Sequence, residues 1–221
     1  GAAAILHGLY GGTAEQWAAG NTGLSTRAAK RVDYLFGQVV GDGLINSESL
    51  ATYKFSQANA VCPAQRGLAM TGDGVMATAV SYYDTTNMAN IRGRATLYIK
   101  RANAAVVSVQ LAPATGKVDV AETNCQLVYE VTNTFVDKNG RFVVFWRNNL
   151  QKTGHVSVVS PTGTIFASES RQAPDNTTTD LAPLAGGGYV AALGGLDKTG
   201  FAVYDRDWKP TQVQSSISSG P

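Results

Sequence analysis

From Asn139 the chain reads Asn139-Gly140-Arg141-Phe142-Val143-Val144-Phe145-Trp146, then Lys152-Thr153-Gly154, Val156-Ser157-Val158-Val159, the turn Ser160-Pro161-Thr162-Gly163, and Thr164-Ile165-Phe166. Short β-branched and aromatic runs bounded by Gly, Asn, Ser and Pro read as strands, and Asn-Gly between such runs is the strongest short hairpin signal. The same order returns 47 residues on, counted from Gly140 to Gly187. There Gly187-Gly188-Tyr189-Val190-Ala191-Ala192-Leu193 precedes Lys198-Thr199-Gly200, Phe201-Ala202-Val203-Tyr204, the turn Asp205-Arg206-Asp207-Trp208, and Thr211-Gln212-Val213. A looser copy lies upstream. It runs from Gly72-Asp73-Gly74 through Val75 to Val80, an insertion from Tyr82 to Arg92, Gly93-Arg94 with Ala95 to Ile99, a turn from Lys100 to Asn103, and Ala104 to Val109.

A repeat of about 40–50 residues holding about four short strands is the sequence form of a propeller blade, whose small sheet buries its faces only by stacking on neighbours. From about residue 68 onward the chain resembles degenerate β-propeller repeats of the Gly-x-aromatic-Val-Val-x-Trp type. The resemblance implies an all-β fold, a propeller-like repeat of small antiparallel sheets, with units at about 68–118, 119–171 and 172–221. A β-sandwich is the alternative. Phe142 and Tyr189 then occupy equivalent inward positions. Three units are fewer than the usual minimum of four, so residues 38–67 supply a divergent fourth sheet, or several chains complete the structure, or the chain is part of a longer protein.

Upstream of this all-β repeat domain of residues 38–221, the punctuation is helical. Thr13 with Gln16 forms a capping box, Ala14 to Ala19 favours helix, and Gly20 can end it. Leu24, Ala28, Val32 and Leu35 recur at spacings of four, four and three, with Gly37 placed as a cap. Residues 1–37 are therefore expected to form a short helical N-terminal segment. Gly41-Asp42-Gly43 reads as a hairpin turn between Gln38 to Val40 and Leu44 to Ile45. Ser215 to Pro221 reads as a flexible exit.

Composition narrows the function classes. Charged residues make up only 15% of the 221, against roughly 25% in an average soluble domain. Glycine, at 24 residues, is about 11% against about 7%. Lys and Arg (18) nearly balance Asp and Glu (16), so the basic footprint of a nucleic-acid binder is missing, and no apolar run approaches a membrane span. Cys62 and Cys125 are too few for a metal framework; they form either one disulfide or two separate thiols.

Motifs with chemical potential are incomplete. Ala4-Ile5-Leu6-His7-Gly8-Leu9-Tyr10-Gly11-Gly12 looks like the strand and oxyanion loop of an α/β-hydrolase, but a Gly-x-Ser-x-Gly elbow is missing, and His7 reads as a structural residue at a turn. Asp137-Lys138-Asn139-Gly140 lacks the alternating oxygen ligands of a calcium loop and reads as a hairpin turn. Gly186-Gly187-Gly188 runs into a strand and cannot cradle phosphate at a helix start. Asn176-Thr177-Thr178 is a glycosylation sequon. The acidic residues are scattered, with no pair assignable to glycosidic hydrolysis. Trp146 is expected in the core and Trp208 in a turn.

The candidate contact loop is Tyr82, Tyr83, Asp84, Thr86 and Asn87, in the insertion that lengthens the first unit. Loops growing on a rigid β scaffold are where recognition surfaces form, and tyrosine offers a flat face with a polar tip. With no complete catalytic set, metal site or cofactor motif, the sequence reads as a non-enzymatic structural or binding protein of an extracellular or virion surface, such as an adhesin or a phage tail, fibre or decoration component. A carbohydrate-active enzyme on a propeller scaffold is the alternative. The expected partners are a homo-oligomer or larger protein assembly and a surface glycan, with no nucleic acid and no membrane insertion.

Overall fold

A computed structural model describes residues 2–10, 31–40, 43–54, 64–84, 87–90, 92–112, 127–151, 153–172, 177–194 and 199–217. Its contacts divide the chain into two compact units. One contains Gly1–Pro63, Tyr82–Arg94 and Pro113–Leu127; the other contains Ala64–Ser81, Ala95–Ala112 and Val128–Pro221.

In the first unit, β1 (Ala2–Tyr10), β2 (Arg31–Val40) and β3 (Gly43–Lys54) form an antiparallel sheet in the order β1-β2-β3. The Gly41-Asp42-Gly43 hairpin is where the sequence puts it, with Val40 opposite Gly43. The helix expected to run to Gly37 is corrected: residues 31–37 are strand, and Gly37 faces Ala4 across the β1/β2 ladder. The three-and-four spacing of Val32 and Leu35 fits a helix, but the run from Val32 to Val40 is rich in β-branched and aromatic residues, and pairing on both sides overrides a weak helical preference. The helix expected over 13–20 lies outside the described residues. His7 sits inside β1 opposite Tyr34, not at a turn.

The remaining strands form three four-stranded antiparallel meanders. β4 (Ala64–Met70), β5 (Met76–Asp84), β6 (Arg92–Lys100) and β7 (Val107–Gln110) make the first. β8 (Tyr129–Val136), β9 (Phe142–Asn148), β10 (Thr153–Val159) and β11 (Ile165–Gln172) make the second. β12 (Thr177–Pro183), β13 (Tyr189–Gly194), β14 (Thr199–Tyr204) and β15 (Pro210–Ile217) make the third. Among the described residues the protein is nearly all β and built of small antiparallel sheets. The only helical element among the described residues is a 3-10 turn at Met88–Asn90. β15 includes Ser215 to Ile217, which corrects the flexible exit expected from Ser215; residues 218–221 lie outside the described residues.

One turn design recurs. At Thr71, Asp137, Ser160, Leu184 and Asp205 the backbone N–H donates to the carbonyl four residues on, and its own carbonyl accepts from the N–H three residues on. This is a type I turn closed by a residue in the left-handed region. That residue is Gly74, Gly140, Gly163 or Gly187 in four turns and Trp208 in the fifth, with φ between 68° and 93°. Where the leading side chain is polar it braces the turn: Asp137 Oδ1 accepts from the N–H groups of Asn139 and Arg141 at 2.8 and 2.9 Å. Ser160 Oγ accepts from Thr162 and Thr164, and Asp205 Oδ1 from Asp207 and Lys209.

Met76, Phe142 and Tyr189 each follow directly on the five residues of the first such turn in their sheet, and all three are buried. Strand alternation then gives each sheet two apolar faces. In the second sheet Phe142, Val144 and Trp146 lie on one face, and Val143 and Phe145 on the other. Val143, Phe145, Val156 and Val158 pack against Tyr189, Ala191, Ala202, Tyr204 and Trp208 of the third sheet in one core, edged by Phe135 and Leu181. First strands of adjacent sheets lie side by side, β4 along β8 and β8 along β12. The approach at β4 is close enough that a Cβ on Gly67 would stand 2.6 Å from the Thr134 backbone nitrogen. Between the first two sheets, Ser81 Oγ accepts from the Val131 N–H at 2.7 Å.

Candidate functional site

Side chains with recognition chemistry gather where β9 turns into β10. Register places Glu130 opposite Arg147 on β8 and β9. Arg147 donates through Nε and Nη2 to Glu130 Oε2 at 3.0 and 2.6 Å, and Asn149 Nδ2 reaches the same oxygen at 3.4 Å. Both charged side chains are about a quarter exposed, at 24% and 25%. Asn148 Oδ1 accepts from the backbone N–H groups of Leu150 and Gln151, fixing the connection, and its Nδ2 donates to Gln151 Oε1. The result is a charge-neutral fan of carboxylate, guanidinium and amide groups with set directions, beside an exposed Leu150.

On the other face of the same sheet, Trp146 lies opposite His155. Their rings stack at 3.9 Å, and Tyr129 meets Trp146 edge-on at 5.5 Å. Trp146 Nε1 donates to Ser157 Oγ at 3.0 Å, and His155 Nε2 lies 2.9 Å from Thr153 Oγ1. Trp146 is in the core, as expected, and offers no open platform for a sugar ring. Burial holds the His155 imidazole below the ordinary histidine range.

That shift has a sign. A folded state that disfavours the imidazolium binds fewer protons than the unfolded chain, so His155 contributes stability that is full above the ordinary histidine range and is lost as pH falls from that range through the lower folded value. Urea midpoints are therefore expected to drop between neutral and mildly acidic pH, and His155→Gln is expected to flatten that part of the profile. An unchanged pH profile in His155→Gln would refute the assignment.

The loop singled out in the sequence lies in the other unit and divides in two. Tyr83 is buried, while Tyr82 and Asp84 at the end of β5 are part-exposed. Arg94 donates through Nε and Nη2 to Asp84 Oδ2 at 3.3 and 3.2 Å, each side chain being 24% exposed. Asn87 Oδ1 accepts from the Ala89 N–H, starting the 3-10 turn. Thr86 lies outside the described residues, as do Cys62, Cys125 and Asn176. The Arg147 and Glu130 set was missed in the sequence because its members are 17 residues apart and only antiparallel register joins them.

Three further side chains tie two turns together. Asp137, buried, takes Arg141 Nε on Oδ2 at 2.7 Å and Trp208 Nε1 on the same oxygen at 3.3 Å. The Asp137-Lys138-Asn139-Gly140 stretch is thus a hairpin turn whose carboxylate is occupied by its own backbone and by Arg141 and Trp208. Among the described residues, no three His, Cys, Asp or Glu side chains gather as a metal site.

No known protein family and no curated protein matches the chain. Solved structures with a similar course include dipeptidyl peptidase 4 of Porphyromonas gingivalis, at 13% identity and a TM-score of 0.44 over 87% of this chain and 31% of that one. An exo-β-1,3-galactanase of Clostridium thermocellum matches at 12% identity and 0.49, over 97% and 46%. A candidate 6-phosphogluconolactonase of Bacteroides fragilis matches at 12% and 0.39, over 98% and 67%. The chain spans less than half the length of the first two. These similarities transfer no residue role and no substrate. The three named structures are enzymes, against the expectation of a non-enzyme, and that expectation is not kept.

Proposed function

We propose that the chain is a carbohydrate-active protein on a propeller-like scaffold, and that it holds a neutral glycan at the strand ends of its small sheets. The observation that carries this reading is the Glu130, Arg147 and Asn149 fan. A sugar presents neighbouring hydroxyls that both donate and accept, and recognition of them calls for fixed acceptors and donors with little net charge. Arg147 and Glu130 neutralise each other, so the fan is better suited to a polyol than to an anion or a cation. Charge-assisted bonds hold the two groups in place before any ligand arrives. In the other unit, Tyr82 beside the Asp84 and Arg94 pair offers a second contact of the same kind, with Thr86 and Asn87 following it in the loop. The weakly charged, Gly-, Thr- and Asn-rich composition supports an extracellular setting for such recognition. Glycosidic hydrolysis requires two carboxylates across one cleft, and Glu130 alone does not make such a pair, so no catalytic residue is assigned.

The test is an array of neutral and uronic-acid oligosaccharides, run with an assay for reducing-sugar release. Binding of neutral glycans is expected, with Arg147→Ala weakening it at least tenfold while circular dichroism stays that of the parent. Sugar release would add turnover to recognition. Absence of both binding and release, or unchanged binding by Arg147→Ala, would overturn the proposal.

A further inference from the structure

A bulge sets the direction of one exposed aromatic ring. In the β10/β11 ladder Val158 stands opposite Ala167 and Val159 opposite Ile165, so Phe166 is the extra residue of a bulge. An extra residue in a strand re-aims its side chain. Phe166 is 60% exposed, and Ile165 beside it 43%. Val107, on β7 and also exposed, meets the turn that leads into β11: a Cβ on Gly163 would stand 2.7 Å from Val107 Cγ1. Single exposed apolar side chains are ordinary on a protein surface, but the Phe166 ring is held on one side. The Arg141 guanidinium carbon lies 5.9 Å from the ring centroid, within the range of a cation–π contact. Arg141 is itself fixed by the buried Asp137 carboxylate, to which Nε donates at 2.7 Å and beside which Nη2 lies at 2.7 Å. The ion pair cancels its own charge, so the ring is a positioned apolar surface with no net charge behind it. Hydroxyls stand next to it. Thr162 and Thr164 are exposed in the same turn, with Ser160 Oγ 2.8 Å from Thr162 Oγ1.

We propose that Phe166 is the stacking platform of a second glycan subsite, which takes one pyranose ring of a neutral oligosaccharide on the face turned away from Arg141. The proposal rests on the reading of the chain as a neutral-glycan binder and adds a site to it. A pyranose presents C–H groups on its flat side and hydroxyls around its edge. The C–H groups match the electron-rich face of an aromatic ring, and the hydroxyls match Thr162 and Thr164. A neutral ligand suits a platform whose only nearby ion pair is already closed on itself. The ring is also positioned before the ligand arrives, by the bulge and by Arg141, which lowers the ordering cost of binding. This subsite is separate from the Glu130, Arg147 and Asn149 fan. Arg141 and Arg147 lie six residues apart along β9 and its approach, about 20 Å at the rise of a strand, so the two sites stand at opposite ends of the second sheet.

The probes are neutral hexose oligosaccharides, titrated calorimetrically into the full chain and into Phe166→Ala, Phe166→Tyr and Arg147→Ala. The parent is expected to bind at two places per chain. Phe166→Ala is expected to weaken the second of them about tenfold and to leave the first, whereas Phe166→Tyr, which keeps the ring, behaves as the parent. Arg147→Ala is expected to retain weak binding that the added Phe166→Ala then removes. Because Phe166 is exposed, circular dichroism and the urea midpoint of Phe166→Ala are expected to stay those of the parent. A parent that binds no neutral glycan overturns both readings. A single site, abolished by Arg147→Ala and untouched by Phe166→Ala, overturns this one alone. A parent dimer that Phe166→Ala dissociates in light scattering also overturns it, since the ring is then covered by a second copy of the chain.

Discussion

Trp208→Ala is expected to lower unfolding free energy by about 3–5 kcal/mol, the range for deleting a large aromatic side chain from a packed core. Trp208 is completely buried although it belongs to a turn. Its ring stacks on Tyr189 at 4.0 Å and 11°, and meets Phe145 and Tyr204 at 6.2 and 5.7 Å. It holds together the face of the third sheet that packs on the second. The same residue has a φ of 68°, where the other four turns place glycine. A bulky residue there is strained by about 1–3 kcal/mol, and the burial of the ring offsets that. The two effects can be separated. Trp208→Gly removes the same ring and relieves the backbone, so it is expected to be more stable than Trp208→Ala by about 1 kcal/mol. Chemical denaturation of both variants checks this. Alanine equal to or more stable than glycine would show that the left-handed backbone carries no strain.

How far the sequence carries the fold is visible in these same turns. Gly140, Gly163 and Gly187 punctuate β-branched runs, so the last three strands of the second and third sheets are legible from periodicity and turn chemistry. The first strands β4 and β12 are not. Thr177–Pro183 reads Thr-Thr-Thr-Asp-Leu-Ala-Pro and Ala64–Met70 reads Ala-Gln-Arg-Gly-Leu-Ala-Met, with few β-branched or aromatic residues and a register shift that breaks alternation. What makes them strands is pairing with β13 and β5, a tertiary fact. β2 fails for the opposite reason, since Val32 and Leu35 satisfy a helical spacing by chance and the ladder with β1 decides. Tyr82 and Asp84 stand out in the sequence because an insertion begins there, and they lie in β5 itself. Glu130 and Arg147 do not stand out, because neither has a local signal. Trp208 was legible as a turn residue and illegible as core, because nothing local to Asp205-Arg206-Asp207-Trp208 tells which way a left-handed residue aims its ring.

Asp137→Ala is the second large effect, expected at about 3–5 kcal/mol, because it leaves a largely buried charge without its partner. The carboxylate is fully buried and Arg141 is 21% exposed, with Nη2 2.7 Å from Asp137 Oδ2. One side chain serves three purposes: Oδ1 closes the β8/β9 turn, while Oδ2 neutralises Arg141 and accepts from Trp208 Nε1 in a turn of the next sheet. Asp137→Asn keeps an acceptor for the turn but not the charge, so its loss is expected to be smaller, about 1–3 kcal/mol, the cost of leaving a charged neighbour poorly satisfied. The link between sheets is isolated by Trp208→Phe, which retains an aromatic ring in the core and deletes the indole donor. If the turn of the second sheet and the turn of the third are joined through this oxygen, Asp137→Ala and Trp208→Phe are expected to be non-additive, with a coupling of about 0.5–3 kcal/mol in a double-mutant cycle. Strict additivity would mean that the two sheets hold each other through apolar packing alone, and that Asp137 serves only its own hairpin.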